Sequence, residues 1–333
     1  MSRPRRAVVT GAAGFIGSHM VDLLLARGDQ VLALDNLSCG RWENLAHHAG
    51  NPRMTFERRD IRALRPGEPL FQGVDDVFHF AGIADIVPSI EHPADYVSNN
   101  VLGTVCVQEA ARHAKVQKVL YAASSTCNRL AEELPSTEGA PISPEYPYAL
   151  SKHVGEQAVL HWGKVYRMSV ASLRIFNAYG PRSRTTGAYG AVFGVFLAQK
   201  LAGRPFTVVG DGTQRRDFVF VTDVARAFLL AAESAADREV FNVGTGSPQS
   251  INRLVELLGG EAVLSYQGSR LSPELIALAA DKQLVKRRAT ALYALVLLRL
   301  AHLFVKSPDR PPSDADTAQA MAPLVHESLL DTA

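Results

Sequence analysis

The chain has 333 residues, of which 47% are hydrophobic and 20% charged, and a formal net charge of +2. That length exceeds one small core and predicts two lobes or one large α/β unit, and the near-balanced charge excludes an electrostatic case for nucleic acid or a membrane surface as partner. The three cysteines, Cys39, Cys106 and Cys127, are few, odd in number and not spaced as metal pairs, which fits a reducing, cytoplasmic compartment.

The N-terminal stretch MSRPRRAVVTGAAGF is basic but has no long apolar core, so no signal peptide is expected. RAVVT, residues 6–10, reads as a short buried strand. GAAGFIG follows, then a helix from about Ser18 to Arg27 with Met20, Val21, Leu24 and Leu25 on its apolar side and Gly28 as its C-cap. QVLALD is a second strand, and MTFERRD, DDVFHFAG, KVLYAASS and SVASLRIFN continue the series with helical stretches between most of them. This alternation predicts a doubly wound parallel sheet with helices on both faces. The pattern weakens after residue 177, where VFNVGTG is the clearest late strand. The expected division is a nucleotide-binding domain over 1–176, a smaller mixed α/β substrate lobe over 177–305, and a loose tail over 306–333 that is rich in Pro and Asp at its start. ATALYALVLLRLAHLFV, residues 289–305, is short for a membrane span and is interrupted by Arg299 and His302, so a packed or amphipathic helix is expected.

Gly11, Gly14 and Gly17 form G-x-x-G-x-x-G directly after the first strand. A tight turn, a close approach of pyrophosphate to the backbone, and helix–strand packing each require a residue without Cβ. The helix that follows offers free N–H groups and the positive end of its dipole. Asp35 ends the second strand, where a carboxylate accepts hydrogen bonds from ribose hydroxyls and repels a 2′-phosphate. The combination predicts NAD rather than NADP.

Tyr148 and Lys152 stand four residues apart in YPYALSKHVGEQ and so share a helix face. On its own the pair fits a solvated helix surface. Beside a dinucleotide, the lysine cation and an oxidised nicotinamide ring both favour phenolate. Bringing tyrosine from ~10 to about 7 takes about 4 kcal/mol, and nearby positive charge in a partly desolvated site is of that order. A tyrosinate there can take a proton from a sugar hydroxyl. Ser124, Ser125 and Thr126 end the fifth strand, and ligands of open parallel sheets bind outside such carboxyl ends.

Taken together, TGAAGFIGSH, LDNLSCG, HFAGIADIVPSIEHPADYVSNNVLGT, YAASST, YPYALSK, RIFNAYGPR and GDGTQRRDFVFVTDVARAF resemble, in this order, the extended short-chain dehydrogenase/reductases of the NAD-dependent epimerase/dehydratase group. The likeness runs over roughly residues 7–260 and is greatest to UDP-glucose 4-epimerases. It implies a Rossmann-type nucleotide-binding lobe, bound NAD, a nucleotide-sugar substrate and a homodimer built from two helices per chain. By this resemblance Gly11, Gly14, Phe15, Ile16 and Gly17 match the pyrophosphate loop; Asp35, Asn36 and Ser38 the adenosine side; Asp60 and Ile61 the adenine wall. Phe80, Ala81 and Gly82 match the strand beneath the cofactor, and Asn99 a helix asparagine beside it. Ser124 matches the catalytic hydroxyl, Tyr148 the base and Lys152 the lysine on the nicotinamide ribose. Thr126 is a further substrate candidate. Asn177 and Arg216 match residues that meet the substrate diphosphate, and Arg270 is the candidate for a second arginine there.

Two stretches depart from the family pattern. Asn128-Arg129 replaces a usual Tyr-Gly, and SRLSPELIALAADKQL, with Ala280-Asp281 as a helix start, is a distant echo of the usual Arg-Pro-Gly-Glu region. Three functions are open on this reading. The first is a nucleotide-sugar 4-epimerase working through a 4-keto sugar. The second is a dehydratase or decarboxylase of the same fold, although the resemblance implies an acidic residue after the catalytic hydroxyl that Ser125 and Thr126 do not provide. The third is an NAD-binding regulatory protein without turnover.

Overall fold

The protein is described from a computed structural model over residues 4–128, 136–183, 192–259 and 262–265. The strands in chain order are β1 (Arg6–Thr10), β2 (Gln30–Asp35), β3 (Met54–Arg58), β4 (Asp76–His79), β5 (Lys118–Ser124), β6 (Ser169–Ile175), β7 (Asn177–Tyr179), β8 (Phe206–Val209), β9 (Arg215–Arg216), β10 (Phe218–Phe220), β11 (Glu239–Val243), β12 (Gln249–Ser250) and β13 (Ala262–Ser265). The helices are α1 (Phe15–Arg27), α2 (Ile86–Glu91), α3 (Pro93–Val97), α4 (Gly103–His113), α5 (Pro147–Tyr166), α6 (Val192–Leu201), α7 (Val221–Glu233) and α8 (Ile251–Leu258). Among these described residues no helix is long and apolar enough to cross a membrane. The apolar stretch 289–305 and the tail lie outside them.

Seven strands form one sheet in the order β3-β2-β1-β4-β5-β6-β11, and every pair is parallel. Successive side chains of a strand point to opposite faces. Ala7 and Val9 of β1 accordingly join Met20, Leu24 and Phe228 under α1 and α7. Val8 joins Val107, Val119 and Val159 under α4 and α5. Burying each such side chain is worth about 1.5–3 kcal/mol, which is why the sheet needs both covers. The chain direction along the sheet reverses between β1 and β4. A crevice must open there, because the loops after the two strands leave toward opposite faces.

The main sheet takes its seventh strand, β11, from beyond residue 177, and α7 packs on α1 across it. The nucleotide-binding half therefore borrows 221–243 from the part of the sequence read as a substrate lobe. What remains is small. Phe196, Phe206, Val208, Ile251, Leu254 and Val255 form a separate core, and the pairs β7–β10, β9–β12 and β8–β13 are each two strands wide.

α1 starts at Phe15, three residues before the expected Ser18, because Gly14 is already its N-cap. Gly28 closes it in the left-handed region at φ 97°, as a C-cap glycine does. Val101, ahead of α4, Val105 and Val107 of α4, and Val154 and Val159 of α5 are buried within the chain itself.

Candidate active site

A cleft of about 830 Å³ runs along the carboxyl ends of the strands at the reversal point. Its floor is the glycine loop. Gly11 has φ +67°, and a Cβ there would lie 2.6 Å from the Ala81 nitrogen. A Cβ on Gly17 would overlap the Gly11 carbonyl. The loop is closed by the Gly14 N–H donating to the Gly11 carbonyl at 3.0 Å. No side chain caps α1 and its first turn holds no acidic residue. The N–H groups of Phe15, Ile16 and Gly17 come before any i−4 partner, so they are open to an anion. All three residues, with Gly11 and Gly14, line the cleft. This is a cradle that any side chain would fill, and it fits the diphosphate of a dinucleotide.

Asp35, Asn36, Ser38 and Ile61 line the same end. Asp35 is buried, and burial pushes its carboxyl up from the ordinary value. Its two oxygens accept the Leu37 N–H at 2.7 Å and the Ala13 N–H at 3.0 Å. Each oxygen keeps a second lone pair for a ribose hydroxyl. Asp60 stands behind this wall rather than in the lining. It accepts from Asn36 Nδ2 at 3.1 Å and pairs with Arg62 at 2.7 Å, holding Asn36 and Ile61 in place. Phe80, Ala81 and Gly82 pass beneath the middle of the cleft, and Asn99 enters it from a π-helical turn over Ser98–Leu102. Such wide turns recur at functional sites. The neighbouring Asn100 is buried, and its amide is bonded to both backbone groups of Ile83 and to Ser151 Oγ.

At the other end, β5 stops at Ser124, whose Oγ lies 2.9 Å from Thr126 Oγ1. α5 begins at Pro147, where a missing N–H costs nothing. Tyr148 and Lys152 follow on its cleft-facing side and line the site with Ser124, Thr126 and Asn177. Tyr96 meets the Tyr148 ring edge-on at 6.4 Å between centroids. Burial pushes the Tyr148 phenol up, and a hydrogen bond from Ser124 opposes it. Burial takes Lys152 down to about 7, with the Glu156 charge working the other way. The Lys152 ammonium sits 4.3 Å over the Tyr121 ring. The protein's own groups thus do not lower the phenol as the sequence suggested.

Behind Lys152 on the same face is Glu156, fully buried and paired with Arg174 at 2.7 Å and 3.0 Å. Burial alone would raise Glu156, yet its bonds from the surrounding donors hold it at about 2. Arg174 also donates to Asn128 Oδ1 at 3.2 Å. The first of the two departures is thereby explained at its described residue: Asn128 is tied to a buried ion pair. Arg129 lies outside the described residues, as does Arg270. Arg216 is described but exposed on β9, donating to the Arg215 carbonyl at 2.8 Å, and is not part of the lining.

Four charged lining residues, Arg41, Arg59, Asp85 and Arg182, are not singled out as site candidates by the sequence. Asp85 lies at the start of α2 and bears on Tyr148, whose phenol its charge helps to raise. Arg182 follows the Gly180-Pro181 turn. Neither belongs to a periodic run, and no spacing rule marked them.

The sequence profile of the NAD dependent epimerase/dehydratase family matches residues 7–244. The chain belongs to this family. It is 38% identical over 257 residues to the UDP-glucose 4-epimerase of Mycolicibacterium smegmatis, an alignment covering 77% of this chain and 82% of that one. The crystal structure of UDP-glucose 4-epimerase from Thermotoga maritima with UDP-glucose superimposes with a TM-score of 0.73 at 33% identity, covering 80% of this chain and 87% of the other. UDP-glucuronic acid decarboxylase 4 of Arabidopsis thaliana is 35% identical over 68% of this chain and 51% of its own length. Members of the NAD dependent epimerase/dehydratase family use NAD, and a Thermus thermophilus UDP-glucose 4-epimerase in complex with NAD is among the similar structures. The chain is an NAD-dependent enzyme of sugar nucleotides.

Proposed function

We propose that the enzyme interconverts the C4 epimers of a nucleotide hexose, a UDP-hexose being the substrate class, through a 4-keto sugar. The observation that carries this reading is the composition of the catalytic end. Ser124, Thr126 and Tyr148 converge there, and the two positions after Ser124 hold hydroxyls instead of carboxyls. NAD, when bound, would supply a reversible hydride acceptor for C4. The chain's part is proton transfer and alignment. Tyr148 removes the C4 hydroxyl proton and later returns it, while Ser124, whose single O–H serves the phenol in the free site, turns it to the C4 oxygen. Lys152 orients the nicotinamide ribose. Asn177, which lines the cleft beside Phe176 and Ala178, would meet the substrate diphosphate. Hydroxyls such as Ser125 and Thr126 are too weakly acidic to eliminate water near neutral pH, so the ketone survives until hydride returns.

One observation favours a second reading. Asp85 brings a carboxyl into the lining near Tyr148, and a carboxyl is the group an elimination at C5–C6 requires. Incubation with a panel of nucleotide sugars, followed by NMR, separates the two. A C4-deuterated substrate should give a mixture of both epimers, reached from either side, with the label retained at C4 and no net use of added NAD. A 4-keto-6-deoxy sugar as main product would establish dehydration, and a pentose would establish decarboxylation.

A further inference from the structure

On the outer side of α1, away from the catalytic end, Asp22 faces His47 and His48 of the 3₁₀ turn Ala46–His48. Consecutive residues of such a turn ordinarily point about a third of a turn apart. Here both rings converge. Each Nε2 lies 2.8 Å from the same oxygen, Asp22 Oδ1, and the ring centroids are 4.1 Å apart. The three donor atoms lie within 4.8 Å of one another. The other carboxylate oxygen is held by Arg182 at 2.8 Å. Two further contacts complete the surroundings: Arg182 Nη2 is 3.5 Å from His47 Nε2, and His19 Nδ1 is 3.9 Å from Asp22 Oδ2.

We propose that Asp22, His47 and His48 form a binding site for a divalent transition metal of the zinc class. Two imidazoles and one carboxylate select borderline ions such as Zn²⁺ and Co²⁺ over Mg²⁺ or Ca²⁺, which take oxygen donors. Zn–N and Zn–O bonds of ~2.0–2.2 Å place tetrahedral donors roughly 3.3–3.5 Å apart. The present 2.8 Å spacings therefore open by about half an ångström, within reach of small rotations of side chains that are 45%, 18% and 30% exposed for His47, His48 and Asp22. Arg182 on the far oxygen orients Asp22 as a partner of a ligating carboxylate does. The same guanidinium charge repels the ion, which sets micromolar rather than nanomolar affinity. Water takes the fourth position.

The site joins three segments that wall the cofactor cleft. α1 carries the glycine loop. The histidine turn follows residues fastened to that loop, through the Arg41 N–H and Asn44 Nδ2 on the Ala13 carbonyl at 2.9 and 2.8 Å. Arg182 lines the cleft, and the adjacent Pro181 carbonyl lies 3.1 Å from His19 Nε2. A metal at Asp22 clamps these walls together and stays clear of the sugar chemistry.

Protein made without a polyhistidine tag and stripped with chelator is titrated with Co²⁺, read by visible d–d absorption, and with Zn²⁺, read by calorimetry and thermal midpoint. One ion per chain is expected, with tetrahedral-type Co²⁺ bands and a Zn²⁺-dependent rise in midpoint. His47→Ala and His48→Ala should each weaken binding at least about tenfold, and the double variant should lose both bands and rise. Metal-free midpoints equal to that of the parent will show that these substitutions leave the fold intact. No saturable binding below about a millimolar, or binding and bands unchanged in the double variant, overturns the proposal.

Discussion

The two ends of the cleft are built differently. The dinucleotide end rests on a seven-stranded sheet closed on both faces, and its contacts are made largely by backbone: the α1 N-terminus, a glycine at positive φ, a carboxylate held by two N–H groups. The sugar end takes its groups from side chains at the end of β5, on α5 and on short elements and loops, among them Asp85, Thr126 and Asn177. The contrast teaches that cofactor choice is a property of the fold in this chain, whereas reaction and substrate are properties of side chains placed on it. Variants at the two ends should therefore separate cofactor binding from turnover.

The largest effect is expected at the junction of the two ends. Tyr148→Phe removes only the oxygen that moves the proton, so turnover should fall ~10²–10⁴-fold with NAD affinity and thermal midpoint unchanged. A variant that kept more than about a tenth of the parent rate would show that Tyr148 is not the base.

Lys152→Met should do the opposite to stability. Burial lowers Lys152 to about 7 from 10.5. Between those values the unfolded chain binds more protons than the folded one, so this group makes stability rise with pH across the window. Below about 7 the full cost of the buried cation is present. The methionine keeps the stem and removes the charge, so the variant should be more stable at pH 6 by on the order of a few kcal/mol, with the gain fading toward pH 10. Urea midpoints at pH 6, 8 and 9.5 test this, and a gain that grew with pH would refute the assignment. Activity should be lost, which makes the lysine a functional cost to the fold.

A pair of glycines tests the contrast directly. Gly11 at φ +67° and Gly246 at φ +70° both occupy the left-handed region, which costs a residue with Cβ about 1–2 kcal/mol. Only Gly11 is also crowded, with Ala81 backbone 2.6 Å from an added Cβ, while nothing lies within 4 Å at Gly246. Gly11→Ala should lower the thermal midpoint further and abolish NAD binding; Gly246→Ala should show the backbone cost alone. Equal loss of NAD affinity in both, measured by fluorescence titration, would show that the close approach at Gly11 is not what the dinucleotide end depends on.

The same division explains what could be read from the chain. The strand RAVVT was expected over 6–10 and is found there, because a short buried strand between breakers has few alternatives. The glycine loop, Asp35 and Tyr148–Lys152 were legible because turn geometry, ribose chemistry and helical spacing each demand particular residues at fixed offsets. β11 looked like part of a second lobe, since adjacency in a sheet is set by packing and not by sequence distance. Asp85 and Arg182 lie in stretches that carry the family resemblance but were not singled out, because a loop residue reaches a cleft through the paths of its neighbours, and those leave no period. Arg216 was legible as a motif residue, yet it projects from an exposed two-residue strand away from the lining.

The smallest effect is expected from Asp85→Asn, and it is the sharpest probe of the sugar end. Asp85 is half-buried at the start of α2 and lines the cleft. Its negative charge disfavours phenolate and so raises Tyr148, behind burial as the main cause. Removing that charge must lower the Tyr148 phenol, which moves the acid limb of the kcat/KM profile to lower pH. A partly solvated charge of this kind is worth ~0.2–1 kcal/mol, so the rate on the acid limb should rise by no more than about fivefold, with NAD affinity unchanged. The opposite outcome has a definite meaning. If Asp85→Asn instead removed turnover and left the 4-keto stage of the reaction intact, the carboxyl would be acting on the sugar, and elimination would replace epimerisation as the reaction of this site.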